Sequence, residues 1–210
     1  MPETPRRQTL DEINALAAAP CFARTIDALD RNWLAKDHTD HKRFVGALTR
    51  SVRTAIEQRS IESAFVQLLP EVLTFCHSAF GFIAEVKYSF NGCPYLQSHA
   101  VTDIYKPSYT INDVISDLQF HNLETLNGAI MTSCKPVLSN DPSNDPRSGG
   151  VPFGHQSLQA YLGLPFVVED ELVGALALGN CPKGYTESDI IRLAFMCTIS
   201  GLLISDYRQL

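Results

Sequence analysis

The sequence has no closely spaced cysteine pair. Its six cysteines stand at 21, 76, 93, 134, 181 and 197, with no CxxC among them. That spacing excludes a zinc ribbon and argues against a disulfide framework, as for a chain kept in a reducing compartment. No uninterrupted apolar run approaches the ~18 residues that a bilayer span requires. The opening MPETPRRQTLDE carries two arginines but no apolar core after them, so it does not read as a signal peptide. The predicted location is cytoplasmic. GxSxG, HExxH and GxxxxGK are all missing, which removes the commonest serine, zinc and phosphate chemistries.

Excess positive charge is also lacking. The net charge is −6, and residues 61–210 hold 7 Lys and Arg against 15 Asp and Glu. Such a surface is poor for nucleic acid and for anionic membranes, so neither is expected as a partner. Apolar residues make up 45% of the chain, enough for a buried core without metals or disulfides.

What is present divides in two. Residues 1–59 read as a helical extension and 60–210 as a second unit. Thr9 and Glu12 form a capping box ahead of Leu10, Ile13, Leu16 and Ala17, and Pro20 closes that helix. Phe22, Ile26, Leu29 and Trp33 make a second stripe. Phe44 to Ile56 and Ile61 to Cys76 make two more, the last interrupted by Pro70, where a kink or short break is predicted.

From residue 80 the period changes to two. FGFIAEVKYSF (80–90) and YLQSHAVTD (95–103) flank Asn91-Gly92 and read as a hairpin. A helix is predicted around 112–121, a short strand in 134–140, and a short helix over HQSLQAYL (155–162). LPFVV (164–168) and LVGALALGN (172–180) form a second hairpin about Glu169-Asp170. Thr186 and Asp189 cap a last helix with the stripe Ile190, Leu193, Ala194, Cys197, Gly201 and Ile204. With no recurring strand–helix–strand rhythm, the fold class is α+β with an antiparallel sheet.

Residues from about 60 to 205 resemble the GAF domain family. The likeness is carried by LLPEVLTFCHSAFGFIAEV (68–86) and by KPV, ND, DPR, GH, YLGLPF, LVGALALGN and GYTESDI within 135–193. It implies an antiparallel sheet of about six strands. The first and last long helices would cover one face, and irregular middle segments would enclose a small-molecule pocket on the other. It further implies a regulatory sensing domain of a bacterial signalling protein, set ahead of a histidine-kinase, diguanylate-cyclase or related output domain. Members that bind cyclic nucleotides carry an NKFDE-type motif. Here Asn180, Tyr185 and Asp189 occupy comparable positions, but Cys181 replaces the lysine and Ile190 the glutamate. Members that bind bilin anchor it on a cysteine in the pocket helix. Residues 150–162 contain none, so no covalent bilin is expected and the cofactor is left unknown. The family's enzymatic precedent is free methionine sulfoxide reductase, for which Cys93 and Cys134 would be the pair. No cationic cluster marks either thiol as reactive, and the chain is read as having no catalytic activity.

The candidate ligand contacts are Ser98, Phe120, Asp141, Arg147, Phe153, His155 and Tyr161. Ser98, Phe120, Phe153, His155 and Tyr161 are predicted to surround one cavity. Leu96, Ser98 and Ala100 would share a face of their strand. A helix starting at His155 would aim free amides at an anionic group, with Arg147 the nearest cation. In the structural alternative, Asp145, Arg147 and His155 merely tie down the loop. His38 and His41, with Asp37 and Asp40, share a helix face as a metal site would require, but read more simply as a solvated joint; no metal is predicted.

Two functions stay open: a ligand sensor, and a ligand-free dimerisation and relay module. For assembly, Met196, Ile199, Leu203 and Tyr207 broaden the last stripe, and Ala194, Ser200 and Gly201 would allow close helix approach. A homodimer through the first and last helices is predicted, the alternative being that residues 10–34 fold back on their own domain.

Overall fold

The computed structural model describes residues 39–103, 114–115, 117–150 and 154–209. The stripes predicted at 10–17 and 22–33 lie outside the described residues, as do Asp37, His38, Phe153 and the start of the helix predicted at 112–121.

Helix α1 (Thr39–Gln58) lies along α2 (Ile61–Cys76). Its buried Phe44, Ala47 and Leu48 face α2, and the Phe44 and Phe75 rings stack at 4.2 Å. Ser51 Oγ donates to the carbonyl of Ala64 at 3.0 Å, satisfying a hydroxyl that α1 buries. Ser60 starts α2 by accepting from the Ser63 amide at 3.1 Å. The helix runs unbroken through Pro70, where a kink or short break was predicted, so the break is not formed. Its burial explains this: Phe65, Leu68, Leu69, Val72 and Leu73 on both sides of Pro70 are fully enclosed. At about 1.5–3 kcal/mol for each such side chain, packing outweighs the roughly 3 kcal/mol that an interior proline costs.

The sheet is antiparallel, in the order β3-β2-β1-β7-β6-β5, with β4 also paired to β2. Its strands are β1 (Phe80–Tyr88), β2 (Pro94–Thr102), β3 (Val114–Ile115), β4 (Gln119–Phe120), β5 (Val137–Ser139), β6 (Tyr161–Val168) and β7 (Glu171–Gly179). The β6–β7 turn is the two residues predicted, Glu169 (φ 49°) and Asp170 (φ 66°), both left-handed. Helix α3 (Leu126–Ser133) stands between β4 and β5, and α4 (Glu187–Tyr207) closes the described chain.

Two cores result. On one face α1, α2 and α4 pack against Ile83, Ala100, Leu162, Leu164, Phe166 and Leu176. On the other, α3 brings Leu126, Ile130 and Met131 onto Phe82, Ala84, Leu96 and Ala177. Helix α4 is 21 residues long and apolar enough by composition to cross a membrane; here it covers the sheet, with Leu193, Met196 and Ile204 fully buried.

The sequence reading needs three corrections. Within 112–121 the described chain forms β3 and β4, not a helix, because β2 offers it an open edge: Ser98 exchanges backbone hydrogen bonds with Leu118 and Asp117. Residues 155–162 are not helical either; 155–160 are irregular and β6 begins at Tyr161. The Asn180 side chain holds them so, accepting from the Gln159 amide at 2.7 Å and donating to the Ser157 carbonyl at 2.9 Å. Finally, β2 carries a bulge. Ile83 pairs with Ala100 but Ala84 with Ser98, leaving His99 as the extra residue. Ser98 therefore shares Ala84's face, while Ala100 turns to the helical face with Ile83.

Candidate functional site

Opposite the long helices, between the sheet and the segments around α3, lies a cavity of about 480 Å³. Such a volume falls in the ~300–1,000 Å³ range of small-molecule sites. Its floor is made of small residues at the β1–β7 pairing, Gly81, Ala177 and Gly179. Gly179 is needed there: a Cβ at this position would stand 2.3 Å from the Phe80 ring, which occupies that space.

Aromatic groups form the walls. Phe82 and Phe120 stack at 4.6 Å, across β1 and β4. The Phe80 ring meets the His155 ring edge-on at 5.4 Å. Leu126 and Leu158 complete the apolar surface. Polar side chains line the cavity as well. Tyr161 Oη donates to Asn127 Oδ1 at 2.7 Å, and burial pushes that phenol far above its ordinary range, against the pull of the nearby Arg147 charge. Buried Thr102 stands 3.4 Å from both the amide and the carbonyl of Gly81. His121 donates to Gln119 Oε1 at 2.9 Å and stacks on Tyr95 at 4.6 Å.

Of the predicted contacts, Phe120, His155 and Tyr161 come together on this cavity. Ser98 lies on the same face of the sheet but serves the structure: its Oγ accepts from the Leu118 amide at 2.9 Å and seats β4. Asp141 sits in an exposed turn, accepting from Ser143 at 2.7 Å and Asn144 at 2.8 Å, and these bonds hold its carboxyl below the usual range. Arg147 clasps Asp145 through Nε (2.9 Å) and Nη2 (2.7 Å), and Nη2 also donates to the Leu138 carbonyl. This bidentate pair drives the Asp145 carboxyl well below its ordinary range and leaves both charges engaged within the loop. No helix starts at His155, so the dipole end predicted there is not formed; its Nδ1 donates to the carbonyl of Gln156. His41, of the proposed histidine pair, packs edge-on to Phe75 at 5.3 Å.

The sequence reading missed Asn127, Phe80, Phe82 and all of α3. A signal for the helix was present: Thr125 precedes Leu126, Ile130 and Met131 at helical spacing, and its Oγ1 accepts from the Gly128 amide at 3.1 Å.

The three motif positions comparable with cyclic-nucleotide binders are all structural. Asn180 ties down residues 157–160. Tyr185 is buried and shares a 2.8 Å hydrogen bond with Ser78. Asp189 Oδ2 accepts from both the amide and the hydroxyl of Thr186, at 2.9 and 2.8 Å, at the start of α4.

Known structures share this architecture. The GAF domain of a phosphoenolpyruvate-protein phosphotransferase from Coxiella burnetii superposes with a TM-score of 0.63 at 13% identity, covering 82% of this chain and 98% of that one. The free methionine-R-sulfoxide reductase of Neisseria meningitidis, in complex with its substrate, gives 0.56 at 10% identity, covering 79% and 90%. The phycoerythrobilin-bound GAF domain of a cyanobacterial phytochrome gives 0.55 at 13% identity, covering 79% and 96%. At such identities the likeness is one of fold, and the three differ in what they do with it. A family model for the GAF domain matches residues 58–205, from the end of α1 to the last turns of α4. The chain belongs to the GAF domain family.

Proposed function

We propose that this chain is a regulatory small-molecule-sensing domain of a bacterial signal-transduction protein, active in the cytoplasm, which relays cavity occupancy through its terminal helices to an output domain of kinase or cyclase type. The observation that carries the reading is the cavity itself. Phe82, Phe120 and Phe80 pack against one another or against His155 and still leave about 480 Å³ open. A ligand-free relay module would have its own side chains in that volume. In this reading the chain has no catalysis of its own. Cys93 precedes β2 and Cys134 precedes β5, strands four positions apart in the sheet. At ~4.8 Å per strand that is about 19 Å, well beyond the ~7 Å Cα separation a cysteine pair tolerates.

Native mass spectrometry of the purified chain, set against its denatured mass, tests the reading. A copurifying small molecule is the expected result, and a melting-temperature screen against metabolites then identifies its class. Ligand at ~100 times its Kd adds roughly 2.7 kcal/mol. A chain that copurifies with nothing and answers to no metabolite would defeat the sensing function.

A second reading, compatible with the first, is a homodimer through the terminal helices. It is favoured by Leu202 (40% exposed) and Tyr207 (43%) on α4 and by Ile56 (70%) on α1. Part of the predicted stripe is used internally instead: Ile199 and Leu203 pack against the chain's own core, and Gly201 lies against Val168 and Phe166 of β6.

A further inference from the structure

The cavity's polar groups are arranged with a direction. Tyr161 Oη is protonated in its buried position and donates to Asn127 Oδ1 at 2.7 Å. That bond fixes the carboxamide, with Oδ1 toward Tyr161 and Nδ2 turned away. Among the described residues Nδ2 makes no hydrogen bond to protein, although Asn127 lines the cavity. It is a donor held in place without an acceptor.

The described part of the same surface has His121, His155 and Tyr161 as its titratable side chains. Among the described lining residues there is no Lys, Arg, Asp or Glu. On the 139–150 loop, Asp145 and Arg147 are paired to each other. Against the described lining, a carboxylate, phosphate or ammonium would lose its hydration without meeting the side-chain charge of a Lys, Arg, Asp or Glu. The walls, in contrast, are ring faces and edges from Phe80, Phe82, Phe120 and Tyr161, which favour a planar partner by offset or edge-on stacking.

We propose that the cavity binds an uncharged, planar aromatic compound bearing a carbonyl or ring-nitrogen acceptor, which Asn127 Nδ2 orients. This rests on the sensing reading above and names its ligand class. The class differs from cyclic nucleotides, whose phosphate meets no Lys or Arg among the described lining residues, and from free amino acids.

Three probes that share one ring system test it on the full, unaltered chain: 2-acetonaphthone (uncharged, with a carbonyl), 2-naphthoate (anionic) and 2-ethylnaphthalene (no acceptor). Titrations are followed by the amide spectrum, in which the Asn127 side-chain resonances report directly. The expected result is that 2-acetonaphthone binds at least tenfold more tightly than either of the others and shifts the Asn127 side-chain signals. Asn127→Asp keeps the acceptor for Tyr161 while removing the donor, and should weaken 2-acetonaphthone at least tenfold; a matching melting curve confirms that the variant is folded. Equal or tighter binding of 2-naphthoate overturns the ligand class but leaves sensing intact. Equal binding of 2-ethylnaphthalene overturns the role of Asn127. Binding of none of the three overturns the class, and the native mass measurement then decides separately whether the domain senses anything.

Discussion

Arg208, one residue past the end of α4, donates through Nε to Glu85 Oε1 at 2.8 Å, joining the last helix to the middle of β1. The guanidinium also donates to the backbone carbonyls of Val86 and Val173, on β1 and β7. The other carboxylate oxygen of Glu85 accepts from Nε2 of His99, the bulged residue of β2 at 3.0 Å. Two strands and the end of α4 thus meet on one buried carboxylate, and Arg208 links β7 to them.

Burial raises the Glu85 carboxyl, but the hydrogen bonds from His99 and Arg208, with the charges of Lys87 and Arg208, outweigh it and hold the group below its ordinary value. A carboxyl depressed in the folded state contributes stability that is present above the unfolded value, near 4.3, and lost as pH falls through the lower folded value. Glu85→Gln should therefore cost about 1–3 kcal/mol at pH 7. The gap from the unaltered chain should narrow below about pH 4. Urea unfolding at pH 7 and pH 3.5 measures both, and a gap that ignores pH would refute the account.

Asn180 should control the cavity's rim from a distance. It adopts φ 59° and makes its side-chain bonds to residues 157–160, next to Leu158 and Tyr161. Asn180→Gly keeps the left-handed backbone but loses those bonds, and is expected to cost about 1–3 kcal/mol. Exchange of the Gln159 amide hydrogen should accelerate with it. Unchanged exchange at Gln159 would show that something else holds the segment.

For the dimer, sedimentation at micromolar concentration should give a mass near twice 23.2 kDa. Leu202→Glu combined with Tyr207→Glu, both at exposed positions of α4, should shift it to the monomer without lowering the melting temperature. Glu187→Gln, at the exposed start of that helix, should leave the assembly unchanged. The unaltered chain sedimenting as a single monomeric species would dispose of the dimer.

Where the sequence was legible, the determinant was local. Thr186 and Asp189 are three residues apart and bond to each other, so the start of α4 could be read from one turn of chain. Glu169 and Asp170 lie between two apolar runs of similar length, and the hairpin follows from that pattern alone. HQSLQAYL misled because Leu158, Tyr161 and Leu162 have helical spacing. The group that ties down 157–160, Asn180, lies about twenty residues further along the chain and is invisible to a local window. The cavity was half legible for a similar reason. Phe120, His155 and Tyr161 stood out as aromatic or titratable residues in irregular segments. Asn127 acquires its meaning from Tyr161, thirty-four residues away.

By itself, then, the sequence determined the family, the α+β class, both long hairpins and the cap at Thr186, because each rests on residues within a few positions of one another. Only the tertiary structure decided that a bulge at His99 turns Ala100 away from Ser98's face, that Arg147 belongs to Asp145, and that an open cavity remains among Phe82, Phe120 and Tyr161. Those outcomes depend on which distant side chains compete for the same space and the same hydrogen bonds, and that competition exists only once the chain has closed on itself.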